Sequence, residues 1–234
     1  MRIPTGPEPA PIHTVADVID RMQALSAAMP AGDGVRAFNQ MYLVTTRQVD
    51  AAIGGARFAD PAFMARLDVV FANLFFTALD LQAADPARAP RSWRALTEAR
   101  ARPGISQLQF AIAGMNAHIN HDLPHALVLT TREFGGVLNP GRRSDYLAVN
   151  RVLAQTQPMV QRELLTGPFA VVDQALGDQD DRVGMWGIEQ AREFAWTTAQ
   201  TLWALRGTPI ERTFTDGLDR MVQMTSRLLL TPAA

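Results

Sequence analysis

The segment from residue 61 to about residue 83 constrains the fold of this chain more than any other. Asp60 followed by Pro61 is typical of a helix start, because a capping carboxylate precedes a proline at the first helical position. Apolar side chains then occur nearly all round the predicted helix: Leu67, Val69, Val70, Phe71, Leu74, Phe75, Phe76 and Leu79. A helix of this kind has to be covered on every side, so the segment predicts the central helix of the fold.

Helical periodicity recurs along the rest of the chain, and strand alternation and tight-hairpin signals are essentially missing. The other predicted helices are 15–29, 35–53, 93–101, one that Ser106 caps, 145–165, 169–176, 184–206 and 209–229. A loop with a turn at Asn139-Pro140-Gly141 is predicted for residues 135–143. The fold class is therefore all-α, a single-domain bundle of about eight helices over residues 14–234. Residues 1–13, with four prolines, are predicted to be an irregular arm.

Composition excludes several classes of chemistry. All 22 basic residues are arginine, so there is no lysine for a Schiff base or a phosphate loop. The chain also has no cysteine, which excludes disulfides, thiolate zinc sites and cysteine nucleophiles. A net charge of −1 provides no general field for nucleic acid or an anionic membrane.

These properties set the expected partners and location. No apolar run is long enough to predict a membrane span, and the amino-terminal run lacks the apolar core of a signal peptide. We therefore expect a cytoplasmic protein that acts on a small molecule, with no nucleic-acid or membrane partner. The apolar helices predicted at 61–83 and 184–206 also allow a homodimer.

Three of the four histidines lie within the twelve residues from Gly114 to His125. At about 100° per residue in a helix, four side chains would share one stripe roughly 100° wide. They are His118, His121, Asp122 and His125. Imidazole and carboxylate groups at this spacing are suited to binding a divalent metal or to catalysis, so these four residues are the candidate catalytic residues. Pro124 lies within the same helix and predicts a kink or a break at residues 122–124.

One helix seldom supplies every ligand of a metal, because side chains along one face diverge. His118 and Asp122, one turn apart, form the best chelating pair, and a buried carboxylate such as Asp68 needs a partner. Four further ligands come into consideration: His121, His125, Asp68 and Glu193. The predicted metal set is His118, Asp122, His125 and Asp68.

The residue types leave three kinds of chemistry open. Zinc with an open coordination position would supply hydroxide for hydrolysis, and iron with the same ligands would suit oxygen chemistry. Without a metal, His118 and Asp122 could transfer protons in a cyclase or an isomerase of specialised metabolism. A non-catalytic binding protein with a structural cluster is the alternative to all three. A metal-dependent hydrolase of a small organic or phosphorylated molecule, with zinc favoured, is the function predicted first.

Two segments of the chain resemble known families. The string Gly114-Met115-Asn116-Ala117-His118-Ile119-Asn120, followed by Asp122-Leu123-Pro124, resembles the signature of a bacterial, largely actinobacterial family of uncharacterised helical proteins. The resemblance extends over most of the chain, through Phe38–Tyr42 and Glu193–Trp196. It implies an all-helical fold and a role for His118, Asn120 and Asp122, but no established activity.

The second resemblance covers one helix. His118, Asp122 and Pro124 are similar to the zinc-binding helix of the all-helical zinc-dependent phospholipase C and P1 nuclease superfamily. That superfamily uses an amino-terminal tryptophan and more histidines than this chain has, and it usually has a glycine where His121 stands. The resemblance therefore implies a reduced site with one metal rather than three.

Overall fold

The computed structural model describes the backbone of residues 12–165 and 179–232, and side chains within residues 12–154 and 187–232. All regular structure in these ranges is helical. The helices are α1 (Val15–Ala28), α2 (Gly34–Gly54), α3 (Pro61–Ala84), α4 (Arg91–Ala99), α5 (Gln107–Ala117), α6 (Leu123–Glu133), α7 (Pro140–Leu165), α8 (Gln179–Leu205) and α9 (Ile210–Leu229). A π-helical segment, His118–Asp122, joins α5 to α6, so the described part contains eight continuous helices. The all-α, single-domain prediction is confirmed.

Local capping fixes several helix starts where the sequence predicts them. The Thr14 hydroxyl accepts a hydrogen bond from the Asp17 amide, and Ser106 forms the same capping box with Gln109. The Asp60 carboxylate accepts from the Phe63 amide at the start of α3. Each cap satisfies an amide that the helix itself leaves unpaired, which is why a few neighbouring residues set the boundary.

The prediction of a loop over residues 135–143 is wrong for the last residues of that range. Helix α7 begins at Pro140 rather than at residue 145, and the Asn139 side chain accepts a hydrogen bond from the Arg142 amide. Asparagine followed by proline caps a helix as readily as it makes a turn, because proline is tolerated in the first helical turn. Helix α8 likewise begins earlier than predicted, at Gln179. The predicted helix at 169–176 and residues 1–11 of the arm lie outside the described residues.

Helix α3 contributes to both hydrophobic clusters of the core. The first cluster contains Phe75 and Phe76 of α3 together with apolar side chains of α1, α2, α4, α5 and α9. The second contains Phe63 and Leu67 of α3 together with side chains from the end of α2 and from α6, α7 and α8. The central position expected for this helix is therefore confirmed. By length and composition α3 would also be able to cross a membrane, but more than half of its most apolar window is buried within the protein.

Helices α2 and α5 approach each other closely just before the histidine-rich segment. A Cβ atom at Gly114 of α5 would lie 2.4 Å from Cγ of Phe38 on α2, so only glycine fits there. Phe38 is itself fully packed and contacts His118 edge to face, with ring centroids 5.5 Å apart. Glycine at position 114 therefore sets the depth at which the following residues enter the core.

We predict that Gly114→Ala destabilises the protein by about 1–3 kcal/mol, because the methyl group displaces Phe38. Gly217→Ala is the matched control, since a Cβ atom at this exposed position in α9 meets nothing within 4 Å. The control should stabilise the protein by up to about 1 kcal/mol through helix propensity. Urea denaturation of both variants measures the difference. Equal stability of the two variants would contradict the close approach of α2 and α5.

Candidate acid–base site

Asp122 is the centre of the candidate site, and its side chain is only 2% exposed. Its Oδ2 atom accepts hydrogen bonds from Nε1 of Trp93 at 2.8 Å and from Nδ1 of His118 at 3.0 Å. Its Oδ1 atom accepts from Nδ1 of His121 at 2.7 Å. Three donors thus converge on one buried carboxylate, which offsets the cost of removing its charge from water.

The π-helical segment His118–Asp122 provides the local geometry. The Leu123 amide donates to the carbonyl oxygen of His118, five residues back, instead of four. This wider turn places both His118 and His121 within hydrogen-bond distance of Asp122. Single π-helical turns inside α-helices occur frequently at functional sites. The irregularity in the helix that Pro124 predicts is this π-helical turn. The alternative prediction, a helix break at residues 122–124, is wrong, because the chain stays helical through Pro124 into α6.

The His118 ring is enclosed by aromatic side chains of α2 and α3. It stacks on Phe71, with ring centroids 3.5 Å apart and an interplanar angle of 7°. Tyr42 packs against it edge to face, at a centroid distance of 4.4 Å. The second ring nitrogen, Nε2, is buried and has no hydrogen-bond partner among the described residues. His118 thus presents one nitrogen to Asp122 and leaves the other unpaired.

His121 connects the site to α9. Its Nε2 atom lies 3.6 Å from Oδ1 of Asp219, whose carboxylate also accepts hydrogen bonds from the amides of Arg91 and Ser92. His125 lies beside His121, with ring centroids 4.9 Å apart, and its Nδ1 atom is 2.7 Å from the His121 carbonyl oxygen. His121 and His125 are partly buried, so this end of the cluster is nearer to solvent than His118.

Burial and charge set the protonation states. Burial raises the pKa of Asp122, but hydrogen bonds from His118 and His121, and the histidine charges, outweigh it and lower the pKa to about 2. Burial lowers the pKa of His118, and Asp122 compensates only in part. Burial also lowers the pKa of His121, but Asp122 and Asp219 raise it above the ordinary value overall. Near neutral pH, His118 is therefore a neutral imidazole whose Nδ1–H donates to an ionised Asp122.

The structure brings His118, His121 and Asp122 into direct contact, with His125 adjacent. Asp68 does not hydrogen-bond to them; it lies on α3, one turn before Phe71. Glu193 accepts hydrogen bonds from Arg143 at 2.7 and 3.0 Å, so this ion pair accounts for its charge.

Within the described residues, no three His, Asp or Glu side chains are grouped to hold a metal ion. The metal remains a prediction.

Two residues of the site were not identified from the sequence. Trp93 comes from α4 and Asp219 from α9, and both are distant in the chain from residues 118–125. The available signal is the indole of Trp93, because a buried indole needs an acceptor for its N–H group. That signal indicates an acceptor but does not identify Asp122.

Comparison with known protein families gives one result. A family described as a family of unknown function (DUF5995) matches residues 15–232. The chain belongs to this family. Comparisons with curated proteins and with solved structures gave no match. Family membership therefore agrees with the expected uncharacterised helical family and assigns no activity to the site.

For this DUF5995 member we predict that His121 titrates above pH 6.5, the ordinary histidine value, and that His118 and His125 titrate below it. Histidine ring signals followed by NMR between pH 5 and 9 provide the measurement, with each histidine assigned by substitution. Asp219→Asn should lower the pKa of His121, because a carboxylate charge that favours the imidazolium is removed. An unchanged His121 titration in this variant would contradict the arrangement.

Proposed function

We propose that this protein is an acid–base catalyst, of the isomerase or cyclase type, acting on a small organic molecule. His118 is the base and Asp122 the residue that orients it. The proposal depends mainly on one observation: Nδ1 of His118 is held by Asp122, while the buried Nε2 has no hydrogen-bond partner among the described residues. A buried nitrogen in this state costs free energy unless a bound molecule pairs with it.

The arrangement is the one that activates histidine bases in general. A carboxylate that accepts from Nδ1–H fixes the tautomer, so that the lone pair is on Nε2, and stabilises the imidazolium that forms on proton uptake. Here Trp93 and His121 hold the carboxylate in turn. The stack on Phe71 limits rotation of the His118 ring, so Nε2 has a fixed direction.

The simplest reaction of such a base is removal of a proton from a carbon atom next to a carbonyl group. Nε2 of His118 takes the proton, the C–H electron pair forms the double bond of an enolate, and the charge moves to oxygen. Return of the proton to the same carbon gives exchange, and its return to another carbon gives isomerisation. Attack of the enolate carbon on an electrophilic group of the same molecule closes a ring.

We predict that the wild-type protein catalyses proton exchange in D2O on members of a panel of small ketones and hydroxyketones, observed by ¹H NMR. His118→Gln should reduce the rate about a hundredfold or more, because no other group replaces the positioned base. His13→Gln is the matched control, since His13 is exposed and lies outside the cluster. The rate should rise with pH through the lowered pKa of His118 and then level off.

A wild-type protein that exchanges no member of the panel faster than the His118→Gln variant would contradict proton abstraction by His118. Far-UV circular dichroism and urea midpoints of the variants separate loss of the base from loss of folding. A rate that falls equally in His13→Gln would show that the exchange does not arise at the cluster.

A metal-dependent hydrolase is the second candidate, and a separate observation favours it. Nδ1 of His121 is bound to Asp122, and Nδ1 of His125 to a backbone carbonyl oxygen. Histidines that bind zinc are usually anchored in this way, through the nitrogen that does not face the metal. Their two Nε2 atoms would contribute to holding the ion, whose remaining positions would be open to water and substrate, and the ion would supply an activated water for hydrolysis.

Elemental analysis of protein purified without a histidine tag tests this candidate. If it holds, about one zinc or iron ion per chain is expected, with loss in His121→Ala and His125→Ala and retention in His13→Ala. A wild-type protein that stays metal-free after incubation with zinc or iron would contradict a hydrolase of this kind.

A further inference from the structure

A second group of buried polar side chains lies between α2 and α3, next to His118. We call Tyr42, Thr46 and Asp68 the α2–α3 seam. The three residues are 6%, 0% and 9% exposed. Within the described part of the chain, the Tyr42 hydroxyl, the Thr46 hydroxyl and Oδ2 of Asp68 form no hydrogen bond of normal geometry.

The seam is continuous with the surroundings of His118. Tyr42 contacts the His118 ring directly, and Phe71, which stacks on the same ring, follows Asp68 by one turn of α3. Thr46 lies one turn after Tyr42 on α2, and its hydroxyl is close enough to influence the Tyr42 hydroxyl. Burial and the charges of Asp68 and Asp122 raise the pKa of Tyr42. Both the seam and Nε2 of His118 thus contain unpaired buried polar atoms.

Several unpaired polar atoms in one buried region are unusual, because each loses its hydrogen bonds to water when the chain folds. Most groups of this kind in native proteins are paired with protein, with ordered water or with a ligand. The three seam residues contribute two hydroxyl groups and a carboxyl group, and no cation. Their chemistry suits a neutral oxygen-containing group rather than an anion, which Asp122 would repel.

We propose that the α2–α3 seam binds the carbonyl or hydroxyl oxygen of a small neutral molecule, and that Tyr42, Thr46 and Asp68 position its reacting carbon against Nε2 of His118. This proposal rests on the acid–base function above and assigns the oxygen-binding half of that site. The hydroxyl groups of Tyr42 and Thr46 can each donate a hydrogen bond to that oxygen. A donor at the carbonyl oxygen would stabilise the enolate charge that forms when His118 removes the proton.

The test measures binding rather than turnover, with hydroxyacetone as the probe. Its dissociation constant is determined by ligand-observed NMR for the wild type, Tyr42→Phe and Thr46→Val. Both substitutions keep the shape of the side chain and remove a hydroxyl, so the aromatic packing around His118 is retained. We expect the dissociation constant to rise at least about fivefold in each variant, since each loses one hydrogen bond to the probe.

Thr131→Val is the matched control. Thr131 in α6 is as fully buried as Thr46, and its hydroxyl also has no partner among the described residues, but it lies outside the seam. Binding of hydroxyacetone should be unchanged in this variant. Urea midpoints for all three variants establish that each is folded at the temperature of the measurement.

The outcomes separate the two proposals. Binding that weakens in Tyr42→Phe and Thr46→Val supports the seam, even if no proton exchange is observed. If the wild type catalyses proton exchange and both variants bind hydroxyacetone as tightly as the wild type does, the proposed binding of the oxygen by the seam is overturned. The proposed role of His118 as the base is then unaffected. A wild-type protein that does not bind the probe at the highest concentration at which the protein stays folded would show that the seam holds no ligand of this class.

Discussion

The buried negative charge of Asp122 is the interaction on which the site depends. An ionised carboxylate in a helical core is unfavourable unless donors replace its water, and here an indole and two imidazoles do so. The donors come from α4 and from the π-helical segment between α5 and α6. Through His121 and Asp219 the same network reaches α9. One charge therefore couples the position of the π-helical segment to the packing of two other helices.

The arrangement around His118 follows from the fold in the same way. Gly114 allows α5 to lie close to Phe38 on α2, and α3 brings Phe71 onto the imidazole face. The apolar surroundings keep His118 neutral, while Asp122 fixes which nitrogen carries the hydrogen. These two effects together leave an oriented base, because an imidazole in water would be neither fixed in direction nor confined to one tautomer.

Much of the helical framework could be predicted from the sequence because its determinants are local. Thr14, Asp60 and Ser106 each cap a helix through a bond to the residue three positions later, and the apolar run of α3 marks a helix buried on both sides. Prediction failed where one local pattern fits two structures. Asn139 followed by Pro140 suits a turn and a helix start equally, and the packing of α7 onto the core decided between them.

Sequence spacing alone was enough to place His118, His121, Asp122 and His125 near each other, because intervals of three or four residues put them on successive turns of one helix. It did not reveal what each side chain contacts. Trp93, Asp219 and Phe71 reach the cluster from segments far along the chain, and Asp68 lies with Tyr42 rather than with Asp122. These contacts arise only in the folded protein, because the apolar packing of whole helices, and not the polar residues, fixes their relative positions.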